Sequence, residues 1–167
     1  MSEWLLEFPF LVLYLYCLCY AILSDIRALK IPNWISITLV VGFVLYAILS
    51  WGKLDLLMRL LVTAVIFCVS FVFFYRNWLG GGDVKLLAAV SLWVGPAHIL
   101  AFVIIMGLLG VLLAITMMWL RPRLDADATL SRLKAPQPVA RWIREGVCPY
   151  GLAIGLAGLA MVPRVFS

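Results

Sequence analysis

The sequence predicts an all-α fold, a polytopic membrane protein built as a six-transmembrane-helix bundle. Two facts of composition and one of distribution lead there. Of the 167 residues, 66% are hydrophobic and only 13% charged, and the mean hydropathy is +1.13. Soluble domains are closer to half apolar and a quarter charged. A chain this short cannot hide so much apolar side chain behind its own surface, because the buried fraction is limited by surface-to-volume scaling. The soluble, disordered, fibrous and disulfide-rich secreted classes are therefore excluded together. The third observation is where the charge lies. The net charge of +5 is carried in short gaps between apolar runs, where Lys and Arg report membrane orientation. No nucleic-acid partner is expected from it; membrane lipids are.

A helix crossing a hydrocarbon core of about 30 Å needs roughly 20 mostly apolar residues. The first candidate span is about 4–24. Glu7 interrupts it near its outer end, and the N-terminus carries Glu3 and Glu7 and no basic residue, so it lacks the n-region of a cleaved signal peptide and should remain as a span. A polar knot, 25–33, follows. The second span, 34–51, opens on Asn33 as an N-cap. Lys53, Asp55 and Arg59 mark a short turn, and the third span runs 56–75. After the loop 76–83, the stretch 84–120 contains Gly95-Pro96, a strong break signal. It divides into spans 84–94 and 97–120. The loop 121–146 is basic and reads as a cytoplasmic linker attracted to anionic lipid. A last span covers 147–162. The whole chain, 1–167, forms one integral-membrane domain.

The positive-inside rule tests this count. Six spans with both termini on the non-cytoplasmic face place ten basic residues in the inner loops and three outside. Were 84–120 a single span, the tally would become five inside against eight outside. Six spans are favoured, with the loops 25–33, 76–83 and 121–146 cytoplasmic.

Other residues read structurally. Cys17, Cys19, Cys68 and Cys148 show no CxxC or Cys/His spacing and are expected to pack as small apolar groups. His98, the one histidine, follows Gly95-Pro96 near the opposite face from residues 25 and 83. No Ser-His-Asp or HExxH arrangement is present. Gly151, Gly155 and Gly158 give the last span a small-residue face suited to close helix packing, within the bundle or in a homodimer. Trp4, Trp34, Trp51, Trp78, Trp119 and Trp142 read as interfacial anchors.

Two of the eight acidic residues stand apart. Asp25 lies at the end of the first span and Asp83 at the start of the fourth, so six-span counting puts both at one depth on the cytoplasmic side. A carboxylate there is costly unless paired or functional. Composition and spacing alone also allow the two acids to cap helices or to pair with Arg27 and Lys85. Two acids at one site cannot both ionise easily and tend to share a proton. One can then activate water while the other protonates the carbonyl or the leaving amine. Gly80-Gly81-Gly82, just before Asp83, permits close backbone approach. The fourth span is too short to cross the core, which would sink its N-terminus, with Asp83, into a partly desolvated recess.

At these residues the sequence resembles the type IV prepilin peptidases, membrane aspartyl proteases with a GxGD motif. Gly80-Gly81-Gly82-Asp83 matches that motif, and Val84-Lys85 continues the GxGDxK reading. Asp25, followed by Pro32-Asn33, is similar to the family's other half, and Pro149-Tyr150-Gly151 to its short Pro-aromatic-Gly signature. The resemblance implies a catalytic dyad of Asp25 and Asp83, with Gly80, Gly81, Gly82, Lys85, Pro32, Asn33, Pro149, Tyr150 and Gly151 as supporting motif positions. It implies no metal and no cofactor. The implied substrates are prepilins or pseudopilins of type IV pili or protein secretion, cut at the cytoplasmic face of the bacterial inner membrane between a basic leader and an apolar helix. Longer members carry a cytoplasmic insert with paired cysteines, associated with N-methylation of the new terminus. Here nine residues separate the first two spans and no CxxC exists. The chain is similar to the short peptidases of Flp/Tad-type pili, and methyltransferase activity is not expected.

Two other classes make different demands. A small proton- or cation-coupled transporter would need polar residues lining a path through the membrane. The spans offer Thr38, Thr63, Ser70 and Thr116, which form no continuous stripe with the aspartates. A non-catalytic assembly component of a pilus or secretion machine would tolerate Asp25→Asn, which a protease would not.

Overall fold

The computed structural model describes residues 2–52, 54–124 and 148–166, with side chains for 7–52, 54–119 and 148–166. The basic loop from 125 to 146, with Trp142, and Val147 at the start of the last expected span lie outside the described residues. So do Lys53 and the side chain of Trp4.

All regular structure among the described residues is helical: α1 Ser2–Ala28, α2 Asn33–Leu49, α3 Leu56–Tyr75, α4 Gly81–Val94, α5 Ile99–Leu124, α6 Tyr150–Ala160 and α7 Val162–Val165. Three segments are long and apolar enough to cross a membrane, Glu7–Ala28, Leu56–Tyr75 and Ile99–Trp119, and the apolar α2 and α6 are shorter. The stretch 84–120 is broken at Gly95, whose φ of +71° is open to glycine but strained for other residues. Helix α1 runs through Ala28, so Asp25 sits in its last turn instead of beyond its end. The N-cap of α2 is Pro32, without a side-chain cap bond, and Asn33 is the first helical residue. That corrects the expectation of Asn33 as the cap.

Helix α4 is the axle of the bundle. It packs against α2, α3 and α6, and nine of its fourteen residues are buried. In contrast, Ser70 is the one buried residue among the twenty of α3. Such exposure of apolar surface is stable only against an apolar solvent, as Phe71 and Leu112, 49% and 61% exposed, illustrate. Lipid offers helices no hydrophobic drive toward each other, so close packing must hold them together. Two devices supply it. Trp93 of α4, 1% exposed, sits among the rings of Tyr14, Phe43, Tyr46 and Phe166 at centroid distances of 5.4–5.8 Å, and its Nε1 donates to the Leu39 carbonyl at 3.0 Å. The glycine face of α6 meets α1: Gly155 lies against Ile22, and Gly158 against Leu18 and Tyr14, whose hydroxyl donates to the Gly158 carbonyl at 3.3 Å.

At fourteen residues, α4 is about 21 Å long, well short of a hydrocarbon core. Its C-terminal carbonyls would be orphans in a dry interior. Arg59 of α3 meets them, one guanidinium nitrogen donating to the Leu92 and Trp93 carbonyls at 2.9 Å each. Arg59 is therefore a half-buried helix cap inside α3 and not a residue of the turn before it. The turn is closed by Asp55, which accepts from the Met58 amide at 3.2 Å. Trp34, Trp51, Trp78 and Trp119 are all exposed near helix ends.

Candidate active site

Asp25 is presented by the final turn of α1, where the Leu29 amide donates to the Asp25 carbonyl at 2.9 Å. Leu29 then takes a left-handed φ of +51°, a conformation costing a non-glycine residue about 1 kcal/mol or more. This turns the chain sharply, and Ser24 Oγ closes the bend by donating to the Lys30 carbonyl at 2.7 Å. Ile31 is thereby driven inward between two glycines from distant parts of the chain. A Cβ on Gly82 would lie 3.1 Å from Ile31 Cβ, and one on Gly151 would lie 2.7 Å from Ile31 Cδ1.

Asp83 is the third helical residue of α4. Its Oδ2 accepts from the Gly80 amide at 3.2 Å, folding the carboxyl back over the glycine run. A Cβ on Gly80 would fall 2.8 Å from that oxygen, and one on Gly81 would lie 3.2 Å from the Phe74 ring. Bare backbone is what allows the loop to close around the acid.

The third wall is the start of α6, with Pro149 before it and Tyr150 as its first residue. The Leu152 amide donates to Asp25 Oδ2 at 3.1 Å across 127 positions of sequence. This amide belongs to the first turn of α6, where unpaired N–H groups and the positive end of the helix dipole favour a carboxylate. Gly151 lies so close that an added Cβ would be 2.8 Å from the same oxygen.

The end of α1 with its bend and the start of α4 form an open cavity of about 280 Å³ lined by Asp25, Asp83, the glycines 80–82, Leu29, Lys30 and Ile31, with the start of α6 behind Asp25. Asp25 is 4% exposed and Asp83 half-buried. Burial first, and the neighbouring Asp25 charge second, push the Asp83 carboxyl up to about 7 against the opposing pull of the Gly80 amide. Near neutral pH such a pair holds one proton and titrates as a unit. It can offer a base and an acid to one molecule in the cavity. Both acids do meet helix N-termini, as the capping alternative anticipates. Capping gives no reason to aim two like charges into one cavity, where each disfavours ionisation of the other.

The two acids thus come from α1 and α4, on segments folded together from distant parts of the chain. A sequence profile of the type IV leader peptidase family matches residues 12–115. The chain belongs to the type IV leader peptidase family. Membership makes it a protease of the leader-peptidase type, with chemistry of the aspartic class. The matched stretch contains both aspartates, the glycine run and Lys85, whereas Pro149, Tyr150 and Gly151 fall beyond it. No curated protein and no solved structure matched the chain.

The remaining positions singled out from sequence divide by place. Lys85 does not turn toward Asp83; its Nζ donates to Asn33 Oδ1 at 2.9 Å, pinning the start of α2 to the start of α4. Pro32 ends the bend that carries Ile31. Tyr150 lines an apolar groove beside α3 and α5. Leu29, Lys30, Ile31 and Leu152 went unremarked in the sequence. A leucine in a left-handed turn and a backbone amide carry no residue-type signal, and Ile31 is simply an aliphatic residue in a polar knot. Among the described residues, no three His, Cys, Asp or Glu side chains gather as a metal-binding group.

Proposed function

We propose that this leader peptidase family member is a membrane-embedded aspartyl endopeptidase that removes the basic leader from prepilin or pseudopilin substrates. Asp25 and Asp83 are its catalytic pair. The observation that carries the reading is the shared cavity of two carboxylates brought from α1 and α4. In the reactive form the pair holds one proton. The ionised member draws a proton from water as it attacks the scissile carbonyl, and the protonated member hydrogen-bonds the carbonyl oxygen and then supplies the proton for the leaving amine. The peptide must lie extended over the glycine run, where absent side chains leave room for its backbone.

The six-span arrangement, with non-cytoplasmic termini and the cavity open to the cytoplasm of a bacterial inner membrane, rests on the distribution of Lys and Arg. The short link between the first two helices and the lack of a CxxC pair support peptidase activity without methyl transfer.

The test is co-expression with a candidate prepilin, with leader removal followed by mass. The native chain should cleave. Asp25→Asn and Asp83→Asn should each abolish cleavage while remaining folded and membrane-inserted. Cleavage retained by either variant would rule out the dyad.

A further inference from the structure

Beside the acid cavity lies a second, larger depression that proteolytic chemistry does not use. It measures about 420 Å³ and runs between α3 and α5, with Leu87 of α4 and Ile154 of α6 lining it as well. Among the described residues, no charged side chain lines it.

Two independent features give it a direction and an occupant. The first is its end. Trp78, Leu79 and Tyr150 line the groove, and the residues next in the chain, Gly80 and Gly151, stand at the two carboxylates. The end of the groove is thus built from residues one step in sequence from those that hold the two carboxylates. The second is the wall on α5. Val103, Gly107, Gly110 and Ala114 fall on one face, spanning about 16 Å of helix. A Cβ on Gly107 would meet nothing within 4 Å, and one on Gly110 would meet only Tyr150, at 3.7 Å. Glycines in a helix facing lipid ordinarily mark where a second helix packs backbone to backbone. On α6 that place is filled by α1; on α5 Gly110 is buried beside Tyr150, whereas Gly107 is exposed and meets none of the described residues.

We propose that this groove seats the apolar helix that follows the scissile bond of the substrate, with about three turns of it packed on the Gly107–Gly110–Ala114 face. The inference rests on the peptidase reading above and deepens it. Recognition is then divided between the cavity, which takes the junction, and the groove, which takes the membrane segment by shape. A lipid chain would fill the same space but has no backbone to bring against the glycines.

The test uses the full chain in liposomes and a synthetic peptide with a lysine-rich leader, a glycine junction and an apolar helix of about 20 residues. Photoreactive benzoylphenylalanine is placed at position 107 or 111 in the groove, or at 108 or 112 on the neighbouring lipid-facing surface, each in an Asp83→Asn background that retains substrate. Adducts with the peptide helix are expected from 107 and 111 and not from 108 and 112. In the native background, Gly107→Leu should raise the KM for this peptide about tenfold relative to one truncated shortly after the junction. Equal labelling from both surfaces overturns the proposal, as do groove adducts formed only with lipid or with residues 125–147 of the same chain. Cleavage by the native chain is scored in parallel. Cleavage without groove adducts removes this inference alone, whereas absence of cleavage removes the peptidase reading and this inference with it.

Discussion

Gly151→Ala isolates the contribution of α6 to the acid pair. The new Cβ would lie 2.7 Å from Ile31 Cδ1, 2.8 Å from Asp25 Oδ2 and 2.9 Å from Asp25 Cγ. Ordinary contacts begin near 3.4 Å, so the carboxyl must retreat by roughly half an ångström. Its bond from the Leu152 amide, already 3.1 Å long, then stretches beyond useful reach. A hydrogen bond to a charged group contributes about 1.5–3 kcal/mol, and a misplacement of about 1 Å at a reacting group can cost 100-fold. Together these give an expected fall in kcat of about 10- to 100-fold. The helix itself should not suffer, since alanine is favoured over glycine in a helix interior by about 1 kcal/mol. Steady-state cleavage of a leader-bearing peptide in micelles, with thermal unfolding alongside, separates the effects. The expected pattern is a reduced kcat with Tm unchanged or raised. Native kcat in a folded Gly151→Ala protein would refute the view that the start of α6 sets the Asp25 carboxyl in place. A collapse of Tm would refute the claim that the side-chain ends of Ile31 and Asp25 can yield.

Protonation offers a separate check. Because Asp83 is raised to about 7, the one-proton form is lost as pH climbs through that value. Cleavage should fall about tenfold per unit on the alkaline side, and a flat profile to pH 9 would contradict it. In Asp25→Asn the like charge disappears, so the Asp83 midpoint should drop. It should still exceed the ordinary 3.8, since burial is the larger cause; NMR of carboxyl-labelled aspartate reads both shifts. At the far end of α4, Arg59→Met strips the Leu92 and Trp93 carbonyls of a charged donor. The loss should be about 2–3 kcal/mol, lowering Tm by roughly 5–10 °C, and an unaltered Tm would deny Arg59 its capping role.

Much of the helical pattern could be read from the chain because lipid demands it. Long apolar runs, polar gaps and the Gly95 break each act locally and leave a local trace. The meeting of Asp25 with Asp83 could be inferred at one remove, from two acids at the same depth. What escaped was every contact whose partner is backbone or plain aliphatic. The Leu152 amide has no residue type to announce it. Leu29 adopts a left-handed turn that Gly or Asn would have signalled. Ile31 matters only because Gly82 and Gly151 bare their backbones on either side of it. Arg59, counted from sequence as a turn charge, proved to be the cap of a helix that begins 22 residues later.

That last contact explains how a helix of about 21 Å can hold Asp83 in place. A helix whose last carbonyls lack donors is free to shift toward water, and Asp83 would shift with it. Arg59 satisfies those carbonyls, while Lys85 and Asn33 fasten the other end to α2. With both ends fixed, Asp83 is held where burial keeps its proton near neutral pH.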